Sequence, residues 1–553
     1  RLIIISFLFS ITLSHSQENI TYQKPPKEIL DLVDFERPPN VIFDDNKDYL
    51  VFLFSKNYKS IEELSEKELR LAGLRINPKT NIGSRVSFYN NIKIKSLKND
   101  SDEVSQISGL PKNPKISNLN WSPDQSKIAF TNTAEDGVNL WILDLNSASA
   151  KKVSELKLNA NIGSVINWFS DSNSLLIKVI PKDKPELINS NIVVPVGPKV
   201  STNFGEKAQN RTYQDLLKNK VDEHNFQQLV TSDLFTVSIN GKAKKWLESN
   251  MYTSISISPD GNYVMVTKIN KPFSYLVTYR SFPTSVDVYS KDAKLISNLV
   301  NVPLIEELPK GFMSVRTGKR SFSWRSDKPS VLTYVVALDG GDPQKNTKYR
   351  DEIFEINAPF NGKGKSILKT VNRFRGIDWG NSNFAIAYDY WWNTRNEKTY
   401  VFNPSNNKKS KIIFDRNYQD SYSDPGFFIS ERNNFNKNVI KINSGKAFLI
   451  GDGFSDKGQF PFIDQFDTKS FEKKRLYQSS YLDKYESIYD FDPVKKELFV
   501  RIESSVDFPN YFFKTLSENN LRKLTSFQSP FEKIKDAYKE VIRYQRSDGL
   551  ELS

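Results

Sequence analysis

Leu119-Asn120-Trp121-Ser122-Pro123-Asp124, followed after Gln125-Ser126 by Lys127-Ile128-Ala129-Phe130, sets the pattern of this 553-residue chain. An aromatic residue leads into a polar turn, and the turn leads into a short apolar run. Ser, Pro and Asp are residues that close tight turns, and a four- to eight-residue apolar run between turn signals reads as a buried strand. The pattern recurs. Ile166-Asn167-Trp168-Phe169-Ser170-Asp171 precedes Leu175 to Lys178, and Ser256-Ile257-Ser258-Pro259-Asp260-Gly261 precedes Tyr263 to Val266. Phe322-Ser323-Trp324-Arg325-Ser326-Asp327 precedes Val331 to Val335, and Ile377-Asp378-Trp379-Gly380 precedes Phe384 to Tyr388. Looser copies are Asp490-Phe491-Asp492-Pro493 before Glu497 to Ile502, and Val41-Ile42-Phe43-Asp44-Asp45 before Tyr49 to Phe54. The run Ala447 to Ile450 is an eighth candidate without the turn signal.

Four aligned serines, Ser122, Ser170, Ser258 and Ser326, lie 48, 88 and 68 residues apart. The first spacing suits one four-stranded blade, and the longer ones require insertions or an unrecognised blade. The expected fold is all-β, a seven- or eight-bladed β-propeller. In it the Pro/Asp turn joins an outer and an inner strand, the apolar strand after it is central, and the tryptophan packs between neighbouring blades. A pair of β-sandwiches or another all-β assembly is the alternative. Helices are few: they are expected over 28–35, 60–75, 213–218 and 531–539, and Asp222 to Phe226 reads as a helix start. Residues 62–101 and 195–220 read as excursions from the propeller surface, either functional loops or interdomain contacts, or tolerated insertions.

Composition narrows the chemistry. There is no cysteine, which excludes thiol nucleophiles, disulfides and cysteine metal sites, and the two histidines, His15 and His224, form no cluster for a histidine metal site. No cofactor or metal is expected. Lys+Arg number 78 against 65 Asp+Glu, a net charge of +13 dispersed among acidic segments, so solvated turns explain it better than a nucleic-acid surface. Residues 1–16 place one arginine before an apolar run and small residues at Ser14 and Ser16, the pattern of a signal peptide. The expectation is an exported protein, periplasmic or extracellular, with no membrane span after cleavage.

No Gly-x-Ser-x-Gly, His-Glu-x-x-His, phosphate-loop or dinucleotide motif occurs. Gly340-Gly341-Asp342-Pro343 reads as a turn. The neighbours Asp351 and Glu352 point apart on any regular element. His224 reads as a surface or helix-cap residue. At the C-terminus, Tyr544-Gln545-Arg546-Ser547-Asp548-Gly549-Leu550 is a strand and an Asp-Gly turn, with a second strand that begins and stops. It is expected to be a hairpin cut short, the beginning of a further domain.

Several stretches carry a family resemblance. They include Glu28-Ile29-Leu30-Asp31-Leu32-Val33-Asp34 with Arg37-Pro38-Pro39, and Leu71-Ala72-Gly73-Leu74-Arg75-Ile76-Asn77-Pro78. Arg211 to Leu217, Ala337 to Pro343, Asn357 to Phe360, Arg375 to Gly380, Tyr390 to Arg395, Pro509 to Phe512 and Leu524 to Phe527 continue them. Together these resemble the propeller half of prolyl-oligopeptidase-like serine peptidases, and more narrowly the glutamyl endopeptidase branch. Tyr544 to Leu550 is similar to the strand leading into that family's α/β-hydrolase domain.

Beside the signal peptide read over 1–16, the expected organisation is an N-terminal extension over 17–40, a propeller over 41–535, and the truncated start of the hydrolase domain over 536–553. The resemblance implies peptide substrates and a Ser-Asp-His triad beyond Ser553, so that no catalytic residue lies in this chain and the chain alone is inactive. The propeller would gate access and contact its own hydrolase domain. Selectivity for acidic residues calls for a cleft arginine, since the guanidinium fork pairs with a carboxylate. The candidates are Arg211, Arg373, Arg375 and Arg395, each with a bracing or surface role as its alternative. Other readings are a dipeptidyl or oligopeptidase of the same superfamily, or a free-standing propeller that binds protein or glycan.

Overall fold

The computed structural model describes residues 24–98, 102–189, 213–516, 520–534, 536–538 and 540–553, without the side chains of 407–409 and 533. They fall into two compact units: Pro38–Phe527, and the chain ends up to Arg37 and from Gln528. The leader expected over 1–16 lies outside the described residues.

Within Pro38–Phe527 the strands form successive antiparallel meanders. In the first, Asn40–Phe43, Tyr49–Ser55, Tyr89–Ser96 and Ser105–Gln106 pair in that order. The second is Ile116–Trp121, Lys127–Ala134, Gly137–Asp144 and Ser149–Lys152, joined to the first through the single pair Tyr89 and Ile116. Four-stranded sheets then open at Ile166–Trp168, Tyr252–Ile257, Arg320–Trp324, Arg373–Asn381, Phe427–Phe428 and Lys484–Asp492. Among the described residues these make eight meanders. Every copy of the sequence pattern, Ala447 to Ile450 included, falls on the second strand of one of them.

Packing runs in a circle. Val51 and Ile92 of the first meander share a core with Ile128 and Phe130 of the second. Ala129 of the second packs with Leu175 and Ile177 of the third, and Leu176 of the third with Val264 of the fourth. Val288 meets Leu332, Val335 meets Ala385, Ile386 meets Leu449, and Phe448 meets Val500. Phe499 and Phe513 of the eighth then meet Val41 and Phe52 of the first, which closes the order. Successive residues of a central strand point to opposite faces, and both faces are covered by a neighbouring meander. This is why the central strands are apolar throughout rather than alternating. The architecture is propeller-like and almost wholly β.

The tryptophans bridge meanders as expected. Trp168 donates its indole N–H to Asn120 O of the preceding meander (3.0 Å), and Trp324 does the same to Ser256 O (3.1 Å). The turns are fastened similarly. Ser258 donates to Asp260 (2.6 Å) within its turn, and Ser330 of the next meander donates to the same carboxylate (2.5 Å).

An antiparallel meander puts its first and third turns on one face and its remaining connections on the other. The first turns are short, 44–48, 122–126, 169–173, 258–262, 325–330, 382–383 and 493–496, with the exception of 429–445. The opposite face carries the long connections 56–88, 270–283, 303–319 and 338–350, and the described parts of a further one, 180–189 and 213–231. Pro38 and Phe527, the ends of the unit, also emerge on this long-loop face.

The helices correct the sequence expectations. They are α1 (Lys27–Val33), α2 (Ile61–Ser65) and α3 (Lys220–Val230). α2 starts at a Ser60/Glu63 capping box but stops after five residues. The segment expected to prolong it to 75 is instead a small sheet, Leu69–Leu71, Leu74–Asn77 and Ile82–Gly83, because Ala72 and Gly73 take positive φ and turn the chain back. Residues 213–218 are not helical: Asp215 has φ 58°. The helix forms five residues beyond the left-handed Asp215, capped by Asn219. Over 531–539 only the 3-10 turn Glu532–Ile534 is found.

The second unit contains α1, an edge-on contact of the Phe35 and Phe531 rings (5.0 Å), and a hairpin of Tyr544–Gln545 with Glu551–Leu552. Among the described residues no helix is long and apolar enough to cross a membrane.

Candidate functional site

On the long-loop face, the fifth and sixth meanders gather arginines at the ends of their strands. Arg320, Asp351 and Arg373 each open a strand, Trp391 ends one, and Asp339 and Arg350 lie on the connection 338–350. Arg373 is buried. Its Nη2 lies 2.7 Å from Asp339 Oδ2 and its Nη1 3.1 Å from Asp351 Oδ1, while its Nε donates to Met313 O at 2.9 Å. Arg350 shares Asp339 (2.9 Å) and stacks on Trp391, its guanidinium 3.9 Å from the ring centre. Arg320 reaches Asp351 Oδ2 at 2.6 Å, although its Nε and Nη2 have no aligned hydrogen-bond partner: the charges touch without the geometry of a bond. Gly341 holds the loop against Val315 at φ 80°, where a side chain would run into the Val315 carbonyl.

Arg316 completes the group. Its guanidinium donates to the carbonyls of Thr317 and Lys319 and has no carboxylate within 4.0 Å among the described residues. Burial, then the neighbouring charge of Arg320, holds its pKa below the ordinary arginine value. Burial alone would raise the Asp339 carboxyl, but Arg373 and Arg350 outweigh it and hold it below the usual carboxylate range. Three arginines thus share two carboxylates and Arg316 has none, leaving a positive surplus.

Beside this cluster lies a cavity of ≈ 390 Å³ lined by Lys310, Phe312, Met313, Pro343, Gln344 and Asn393. Met313 belongs to its wall and also bonds Arg373. Phe312 is 80 % exposed and packs on Trp392, ring centres 5.4 Å apart. Arg395 covers Trp392, with 3.9 Å between guanidinium and ring centre, and has no carboxylate partner among the described residues. The arrangement offers an exposed aromatic platform next to uncompensated cations. It can hold an acidic, extended ligand.

The four arginines singled out in the sequence part ways. Arg373 braces the strand ends and Arg395 sits on the rim. Arg375 is two residues from Arg373 but is the bulged residue between Phe374 and Gly376 in the strand pairing. The bulge turns it into a different cleft, ≈ 660 Å³, with Asp378, Tyr388, Glu397, Arg416, Asp424 and Asp452. There Arg375 lies 3.6 Å from Glu397, and carboxylates outnumber cations. Burial raises the Asp378 carboxyl despite a 2.8 Å bond from the Tyr388 hydroxyl. Arg211 lies outside the described residues. His224 lies on α3 with Nε2 3.0 Å from Glu186 O. Among the described residues no three His, Cys, Asp or Glu side chains are placed to hold a metal ion.

Arg316, Arg320, Arg350, Asp339, Asp351 and Trp392 escaped the sequence reading as a site. One signal was available: Arg320 and Arg373 both open the strand that ends its repeat in a tryptophan, Trp324 or Trp379. The surplus of charge depends on connections between meanders, which spacing does not reveal.

No family model matches the chain. The chain is 34 % identical over 566 residues to a protein of Oryza sativa subsp. japonica named "Probable glutamyl endopeptidase, chloroplastic", covering 96 % of this chain and 60 % of that one. A protein of the same name from Arabidopsis thaliana is 32 % identical over 561 residues, covering 96 % and 58 %. The chain therefore spans about 60 % of the length of the curated relatives it matches. Among solved structures, Porphyromonas gingivalis dipeptidyl peptidase 4 aligns with a TM-score of 0.46 at 11 % identity, covering 96 % of this chain and 66 % of that one.

Proposed function

We propose that this chain is the β-propeller part of a serine peptidase of the prolyl-oligopeptidase-like superfamily, and that each of its eight meanders is a blade. The observation that carries the reading is sequence identity of about a third to two probable glutamyl endopeptidases along 96 % of the chain. The parent enzyme cleaves peptides after glutamate by acyl transfer. Its Ser-Asp-His triad is taken to lie outside this chain, in keeping with a chain that spans 58–60 % of the relatives' length, and the chain by itself is then inactive. The long-loop face turns toward the catalytic domain. Its arginine surplus and the Phe312/Trp392 platform draw in and orient acidic peptides, an effect on encounter and positioning rather than on bond breaking. The leader-like segment 1–16 supports export of the parent.

The test is turnover by the full-length protein of peptides with Glu, Pro or Ala before the cleaved bond, each with a free and with a blocked N-terminus. The expected result is a preference for Glu of at least tenfold in kcat/KM that survives blocking. A preference for Pro, or loss of cleavage on blocking, would replace this reading with an oligopeptidase or a dipeptidyl peptidase. Arg395→Ala is expected to raise KM for the Glu peptide several-fold and to leave the Ala peptide unchanged.

A further inference from the structure

One first turn is not short. Residues 429–445 of the seventh meander contain a hairpin in which Ser430–Arg432 pairs with Asn438–Ile440. Its tip is held by Asn433, whose side-chain oxygen accepts from Phe435 N (3.0 Å) and Lys437 N (3.1 Å). The two residues at the start of the tip reach in different directions. Arg432 Nε bonds Asp45 in the first meander, and Asn433 Nδ2 donates to Ser326 O in the fifth at 2.7 Å. In a closed order of eight, the first and fifth meanders are diametrically opposite. Adjacent residues are only about 3.8 Å apart along the chain. A segment that touches both opposite turns therefore crosses the axis around which the meanders are arranged.

The other contacts agree. Asn438–Ile440 lies against the first strand of the sixth meander, and Lys441 Nζ donates to Phe491 O of the eighth at 3.1 Å. Asp45 is also fixed by Gln125 of the second meander (2.8 Å). The hairpin is thus anchored to five meanders besides its own or to their direct partners. What remains beside it is a pocket of ≈ 500 Å³, lined by Asp45, Lys47, Gln125, Arg432, Lys441 and Asp490 among others.

We infer that the hairpin 430–440 is a fixed crossbar that closes the short-turn end of the central channel, so that peptides reach the interior only from the long-loop face. This rests on the propeller reading and adds to it a route and a size limit for substrate. A gate that swung open in each cycle would have to break the Arg432–Asp45 and Asn433–Ser326 contacts together.

This chain has no cysteine, so once any cysteine elsewhere in the full-length protein is replaced by serine, two introduced thiols have only each other to pair with. In the full-length protein, Asn433→Cys with Ser326→Cys is expected to be bridged nearly completely by a short bis-maleimide. Failure to bridge in a folded protein overturns the crossbar. Bridging is expected to change peptide turnover by less than twofold, whereas a loss of tenfold or more would show that the hairpin must move. As a second variant, residues 433–437 replaced by Gly-Gly is expected to raise cleavage of a 30-residue peptide relative to a pentapeptide at least fivefold. An unchanged ratio would mean that the hairpin closes nothing. If the protein cleaves no peptide at all, the peptidase reading falls, while the bridging yield still decides whether the hairpin spans the axis.

Discussion

Arg75 and Asp215 form an ion pair, Nε to Oδ2 2.6 Å, across 140 residues of sequence. The pair joins the insertion of the first meander to that of the third. Around it, Gly73 N donates to Asp215 O (2.9 Å), and Leu71 and Ile76 share a core with Leu217, Phe226 and Leu229. Two loops that look like independent excursions are one accessory lobe on the long-loop face. Asp215→Ala is expected to loosen it without unfolding the meanders. Limited proteolysis within 56–88 should become roughly fivefold faster while the global melting temperature hardly moves, since local openings carry their own free energy. An unchanged cleavage rate would mean that the apolar contacts alone hold the lobe.

Arg373→Ala is expected to be among the most damaging single changes. It leaves Asp339 and Asp351, both with fully buried side chains, short of a partner, and removing one member of such a group costs about 3–5 kcal/mol. The pH dependence follows from Asp339. Its folded pKa lies below its unfolded value, so the stabilisation is present above about pH 4 and lost as pH falls through the folded value. In the variant only Arg350 and the Gly341 N–H still oppose burial of the carboxylate, so the acid unfolding midpoint should rise. Circular dichroism across pH 2–7 measures it. An unshifted midpoint would assign the pairing to Arg350 alone.

Trp168→Phe tests the seam between meanders. The ring volume is largely kept, but Asn120 O loses its 3.0 Å donor. The expected loss is about 1–2 kcal/mol, read from urea denaturation, against about 3–5 kcal/mol for Trp168→Ala, which also leaves a cavity. Equal losses for the two variants would show that the hydrogen bond carries the seam and packing does not.

Lys178 is fully buried, its ammonium bonded only to Ile162 O among the described residues, and burial pushes its pKa down to about 7. The unfolded value is near 10.4. Between the two the unfolded chain binds the additional proton, so stability rises with pH from about 7 to 10, by at most about 1.4 kcal/mol per pH unit. Below pH 7 the penalty is full, and above pH 10.5 it is gone. Lys178→Met should raise the melting temperature at pH 7 and flatten its rise toward pH 10. A wild-type melting temperature flat over that range would contradict the burial of a titrating lysine.

Legibility in the sequence tracked distance along the chain. The turns at Ser122–Asp124 and Ser258–Asp260 involve partners within five residues, and the strands that follow announce themselves by uninterrupted apolar runs. The seventh meander was harder to see, because its first turn holds a hairpin instead of a Ser-Pro-Asp signal. The helix expected over 213–218 does not form because Asp215 takes a left-handed conformation that serves a contact with Gly73, whereas the helix start legible at Asp222 to Phe226 falls inside Lys220–Val230. The candidate site was legible only in its residue types. Arg373 and Arg395 were singled out, yet which of them is a brace and which is on the rim depends on loops from the fourth and fifth meanders.

By itself the sequence determined an all-β chain of repeated four-stranded units with tryptophans at the seams. Those features follow from side-chain alternation and turn chemistry, which act over a few residues. Only the tertiary structure decided that eight units close on one another, that Arg75 finds Asp215, that Arg375 bulges away from Arg373, and that Arg432 and Asn433 span opposite turns. The contacts among these join residues from 107 to 387 positions apart. They arise where the ring brings strand ends and loops together, and no local pattern encodes the meeting of two surfaces so far apart in sequence.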